Sequence, residues 1–206
     1  MVRMKTMSLS LNQKKICNKL MVKYHYPFEF DFDYDLFLHD ANQLSKHQIK
    51  HTRTGTGADY KKAENGDDIT SSAYKIPLYK IKSLQDNKHC ISIINQCKKL
   101  FDAIGSKDNN IILVEYDDNS FLGWHIDPGS TEYGRINCIL TPNYESSPII
   151  FKDGNNEVSC PAKLAVVNAY RVEHRYDNRG KEKRILLIMT THDLNFEECI
   201  DAVKRL

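Results

Sequence analysis

VEHRYDNRGKEKRILLIMTT, residues 172–191, reads as two strands folded about a polar turn. The second strand, from Arg184 to Thr191, is the informative one. Leu186, Ile188 and Thr190 share a face with Arg184, and Ile185, Leu187 and Met189 share the other, because side chains alternate along a strand. Both faces are apolar, so the spacing predicts a strand buried on both sides, with an arginine at its start. A buried guanidinium needs an anionic partner, since an unpaired charge in a dry interior is costly. Folding the chain about Arg179 brings His174 and Arg184 to similar depth on their two strands.

Working outward, similar segments fill residues 111–191. IILVEYD (111–117), RINCILTP (135–142), SPIIFKDG (147–154), NEVSCPA (156–162) and KLAVVNAY (163–170) are short and separated by turn chemistry, including an Asp-Gly-Asn step. This pattern predicts a mainly β sandwich or barrel. Upstream, residues 85–104 carry Ile91, Ile94, Cys97, Leu100, Phe101 and Ile104 at helical spacing behind an N-cap at Asp86 or Asn87, which predicts a helix packed on the sheet. Phenylalanines alternating with acids from Phe28 to Tyr34 predict a strand that runs into a helix over 36–44. Residues 51–73, polar and rich in small residues, predict a long mobile loop that could serve as a lid. Its TGTG step lacks a P-loop lysine. Residues 1–24 read as a short helix or loose arm.

Composition narrows the field. A chain of 206 residues with 41% hydrophobic content has room for one domain with a real core, which we place over 1–206: strand and helical support at 25–104 and a β core at 110–195. The net charge of +2 is too weak a bias to argue for a nucleic-acid partner. No segment has the length and apolarity of a signal peptide or membrane span. Six cysteines are scattered without a C-x-x-C pair, which suits a reducing, cytoplasmic setting.

Within the β block, GWHIDPG (123–129) places His125 and Asp127 two apart, and His174 lies on a separate strand. Two imidazoles and one carboxylate on one face form the donor set of facial Fe(II) centres, which leaves positions open for other ligands. An H-x-D step alone is common by chance. Two other readings stay open on these residues: a cupin-like Zn or Mn protein, and an inactive binding module that keeps the fold. Arg184 weighs against the first, because such a protein has no use for a buried guanidinium. His25, His39, His47, His51 and His89 show no ligand spacing among themselves. His192 reads as a surface residue and Trp124 as a packing residue.

HIDPG, the His174 region and Arg184 together resemble the 2-oxoglutarate/Fe(II)-dependent oxygenases. RINCILTPN, SPIIFKDG and VEHRYDNRGKEKRILLIMTTHD are similar to the aspartyl/asparaginyl β-hydroxylase and proline hydroxylase-like branch. The resemblance covers roughly residues 110–195. It implies a double-stranded β-helix (jelly-roll, cupin-like) with N-terminal helices on one sheet. It implies Fe(II) held by His125, Asp127 and His174, with 2-oxoglutarate and O2 as co-substrates. It assigns the distal carboxylate of 2-oxoglutarate to Arg184 and places Arg135 and Asn137 near the same ligand, Asn137 standing where the branch often has histidine. The implied reaction is hydroxylation of an amino-acid side chain, free or in a peptide or protein, coupled to decarboxylation of 2-oxoglutarate to succinate.

Overall fold

A computed structural model describes residues 23–44, 49–52, 72–77, 85–116, 121–178 and 182–206. Among the described residues, eleven strands form two antiparallel sheets. The larger has seven strands in the order β1 (His25–Pro27), β9 (Leu164–Val167), β6 (Gly134–Ile139), β11 (Arg184–Thr191), β4 (Asn109–Tyr116), β3 (Ser72–Pro77) and β2 (Ile49–Thr52). The smaller has four, in the order β5 (Phe121–His125), β10 (His174–Asp177), β7 (Ile149–Asp153) and β8 (Asn156–Cys160). Three helices accompany them: α1 (Tyr34–Leu44), α2 (Lys88–Ile104) and α3 (Phe196–Val203). This is the expected β-sandwich with helices on one sheet.

The alternation in β11 divides the core. Ile185, Leu187 and Met189 join a cluster with Phe37, Ile93, Leu100, Phe101, Phe196 and Ile200, which glues the helices to the large sheet. Leu186 and Ile188 join Val114, Tyr116, Leu122, Phe151 and Tyr176, which fill the space between the sheets. All eight residues of β11 are buried. Truncating one of its leucines to Ala should cost about 2–5 kcal/mol.

Helix α2 begins where the sequence predicts. Asn87 adopts extended backbone and its side chain accepts from the His89 and Cys90 amides. Gly105, at φ 80, ends the helix in the left-handed conformation that costs glycine least. Cys97, Leu100, Phe101 and Ile104 are buried as expected, but in the first half of the helix the buried face differs by one position: Cys90 and Ile93 point in, while Ile91 is 41% exposed. The apolar stripe is broad enough to read two ways, and packing on α1 selects the rotation.

Residues 28–33 correct a second expectation, since they form no strand. The ladder from β1 ends at the bond from the Phe28 amide to the Leu164 carbonyl (3.2 Å). Phe28, Phe30 and Phe32 still pack into the helix-side cluster. Asp33 then caps α1, its carboxylate accepting from the Leu36 amide at 2.9 Å. The alternation thus reports burial of every second residue without a partner strand.

The expected 51–73 loop is also shorter at both ends, because β2 and β3 pair in register from Ile49↔Lys75 to Thr52↔Ser72. The rest of that loop, including Arg53 and Tyr60, lies outside the described residues, as does the expected arm at 1–22. The five described cysteines, Cys90, Cys97, Cys138, Cys160 and Cys199, are all buried. Among the described residues no helix is long and apolar enough to cross a membrane.

Candidate metal centre

His125 and His174 are direct cross-strand partners on β5 and β10. Opposed residues of an antiparallel pair project from the same face, so both rings point between the sheets. Their centroids are 4.3 Å apart. Strand β5 ends at His125, so Asp127 reaches the site from the following loop, which is anchored by the Asp127 amide to the Ala169 carbonyl (3.0 Å).

Each imidazole is aimed by its backbone. His125 Nδ1 lies 2.8 Å from the Gly123 carbonyl, and His174 Nδ1 lies 3.2 Å from the Val172 carbonyl. A carbonyl oxygen can only accept, so each Nδ1 carries a proton, and in the neutral ring the lone pair then lies on Nε2. Those Nε2 atoms face Asp127 Oδ1 at 3.4 and 3.9 Å. One donor atom from each of the three residues falls within 4.8 Å of the others. His174 is fully buried and its Nε2 has no hydrogen-bond partner among the described residues. Burial first, then neighbouring His125 and Arg135, hold its pKa well below the ordinary 6.5, which favours the neutral, metal-ready imidazole.

The large sheet supplies the opposite wall. Arg184, at the start of β11, is fully buried, and none of its three guanidinium nitrogens has a hydrogen-bond partner among the described residues. Its guanidinium carbon lies 4.7 Å from the centre of the Tyr176 ring, and burial lowers its pKa from the usual value. Arg135 sits two positions before Asn137 on β6, and its donors are engaged. Nη1 pairs with Asp127 Oδ2, Nε donates to Asn137 Oδ1 at 2.9 Å, and Nη2 donates to the Tyr176 hydroxyl at 3.3 Å. Asn137 Nδ2 also donates to that hydroxyl (2.9 Å).

Five of the residues singled out in the sequence, His125, Asp127, His174, Arg135 and Asn137, are therefore brought together, and Arg184 adjoins them through Tyr176. Their arrangement adds something sequence reasoning missed. Arg135 clasps the carboxylate of Asp127 and holds its other oxygen toward the histidines. Tyr176 is the hub that joins Arg135 and Asn137 and lies against Arg184. Its position two residues after His174 on one strand was the available signal. A cavity of about 120 Å³ opens among these groups, with Ile112, Leu122 and Ile188 as apolar walls and Pro128, Tyr170 and Thr190 around it. Trp124 packs under the side chains of Lys152 and Arg175, and His192 lies half-buried against Asp108 at 3.0 Å, away from the triad.

Three solved structures share this architecture. A prolyl-4-hydroxylase from Pseudomonas putida superposes with a TM-score of 0.53 at 13% identity, over 84% of this chain and 95% of that one. A prolyl hydroxylase from Trichoplax adhaerens, in complex with a hypoxia inducible factor oxygen degradation domain peptide fragment, gives 0.55 at 12%, over 94% and 97%. The fold is that of the 2-oxoglutarate/Fe(II) oxygenases. The non-heme alpha ketoglutarate dependent epimerase SnoN from nogalamycin biosynthesis gives 0.51 at 14%, over 86% and 83%. No protein-family model and no curated protein matches the sequence.

On this oxygenase fold the residues fit the implied metal and co-substrate. The donor set is two imidazoles and a carboxylate, which suits Fe(II) better than a thiolate site would. The orphaned His174 Nε2 is a lone pair aimed at the shared position. The guanidinium of Arg184, with no hydrogen-bond partner among the described residues, matches a carboxylate, which a fork of parallel N–H groups grips with two hydrogen bonds.

Proposed function

We propose that this chain is an Fe(II)- and 2-oxoglutarate-dependent dioxygenase that hydroxylates an amino-acid side chain, free or within a peptide or protein. The observation that carries the proposal is Arg184: a fully buried cation with no hydrogen-bond partner among the described residues, lying against Tyr176, which lines the cavity beside the His-Asp-His triad. A dicarboxylate with one end at the triad and the other at Arg184 would satisfy both walls at once. His125, Asp127 and His174 would hold Fe(II), which when bound supplies dioxygen activation coupled to decarboxylation of 2-oxoglutarate.

The chain's own residues do the positioning. The Gly123 and Val172 carbonyls fix the imidazole tautomers, and Arg135 fixes the carboxylate. Tyr176 braces both arginines. Ile112, Leu122 and Ile188 give the cavity apolar walls, which would strengthen the charge interactions of a bound ligand. An amino-acid substrate is supported by the fold shared with two prolyl hydroxylases, one of which was solved with a peptide.

The test is succinate formation by the Fe(II)-loaded protein with 2-oxoglutarate, against a panel of amino acids and peptides that includes proline-containing ones. One class should raise succinate above the substrate-free background and gain an oxygen atom in the mass spectrum. Folded, iron-loaded protein that turns over no 2-oxoglutarate with or without any panel member would overturn the proposal.

A further inference from the structure

Helices α1 and α2 pack together on the face of the large sheet that looks away from the triad. At their contact His39, Asp40 and His89 meet, although His89 lies far along the chain from the other two. Asp40 is 2% exposed. Its Oδ1 lies 2.7 Å from His89 Nδ1. Its Oδ2 is buried and has no hydrogen-bond partner among the described residues. The His39 and His89 rings are 5.7 Å apart, and one donor atom from each of the three residues lies within 4.8 Å of the others. His39 is exposed and His89 half-buried, so the cluster opens to solvent on one side.

A structural His–Asp pair explains only half of this arrangement. One oxygen of the carboxylate is satisfied by His89, but the other has been taken out of water with no partner among the described residues in exchange, which is costly. A cation at the cluster removes that cost. Two imidazoles and a carboxylate suit a borderline divalent ion, and three protein ligands leave a position for water on the open side. Donors around a tetrahedral zinc stand about 3.3 Å apart at bonds of about 2.0–2.1 Å. The Asp40–His89 pair therefore needs only a small opening, with the proton that now lies between them giving way to the ion. His39, on the surface side, has room to turn inward.

We propose that His39, Asp40 and His89 form a second divalent-metal site that takes Zn²⁺ and ties α1 to α2. It shares no residue with the triad and does not depend on the oxygenase reading. The test is Zn²⁺ titration of the metal-stripped full chain, read by calorimetry and by bound metal after desalting. His39→Ala and His89→Gln should each bind one equivalent fewer than the parent, or bind it at least about tenfold more weakly. A His125→Ala/His174→Ala variant should keep the equivalent that His39→Ala loses. Because His39 is exposed, His39→Ala should keep the parent's circular dichroism and cooperative melt. Parent-like stoichiometry and affinity in both His39→Ala and His89→Gln would overturn the proposal, whatever the triad binds.

Discussion

Arg184 lies over the face of Tyr176, 4.7 Å from the ring centre, with an aromatic ring rather than an anion as its near partner. A cation–π contact offsets part of the cost of burying a guanidinium, but it uses none of the N–H donors. The site is thus poised for a ligand at some expense to the ligand-free protein. Arg184→Met should raise the melting temperature of the ligand-free protein, or leave it unchanged, and abolish the stabilisation that 2-oxoglutarate gives the parent. In turnover, Arg184→Ala should raise the KM for 2-oxoglutarate roughly ten- to hundredfold, while Fe(II) affinity stays near that of the parent. Lysine should restore only part, being a point charge rather than a fork. An Ala variant with unchanged co-substrate affinity would show Arg184 to be structural.

Arg135 should separate from Arg184 in the opposite sense. It grips Asp127, so Arg135→Met should weaken metal binding about 10–100-fold, and any rise in the 2-oxoglutarate KM should shrink when Fe(II) is saturating. Metal titration of the variant, followed by kinetics at high Fe(II), distinguishes the two roles.

His25 gives a pH signature outside the site. It is 1% exposed, stacks on Phe151, and burial lowers its pKa to about 4. The unfolded chain, titrating near 6.5, binds a proton that the folded chain refuses until pH nears 4. The stability tied to neutral His25 is therefore complete above pH 6.5 and is lost as pH falls from there through 4. Between pH 7 and pH 5 this amounts to about 2 kcal/mol. Urea unfolding of His25→Asn should show an acid loss smaller by about that amount. Parallel pH profiles for parent and variant would rule the residue out.

Gly134 opens β6 one residue before Arg135. A Cβ there would lie within 2.7 Å of Thr191 Oγ1 and the Leu194 carbonyl, and closer still to Cys199 Sγ. Gly134→Ala should destabilise by about 1–3 kcal/mol, seen as a lower melting temperature. Because the strain falls next to Arg135, metal affinity should drop as well. A variant as stable as the parent would mean that α3 yields easily at this contact.

Much of the site was legible because its grammar is local. His125 and Asp127 declare themselves by spacing. Arg184 declares itself as a charge at the head of a strand apolar on both faces. What stayed hidden depends on contacts across the fold. Nothing in the sequence links Arg135 to Asp127, because β6 and the loop after β5 meet only once the sheets stack. His39 and His89 sit on different helices, so no spacing rule joins them. Strands β2 and β3, IKHT and SAYKIP, are short and polar enough to pass for loop. The phenylalanines of 28–33 misled because burial of alternate residues needs only a surface to lie on, not a strand to pair with.

The two histidines of the triad belong to the small sheet and Arg184 to the large one. Any molecule that touches both acts as a rivet that reinforces the polar ties Arg135 and Asn137 of the large sheet already make to Asp127 and Tyr176. Its mark should therefore appear in amide hydrogen exchange. Protection should rise most along β5 and β10, where β5 is an edge strand with β10 as its one described neighbour, and least along β11, whose amides are already locked between β4 and β6.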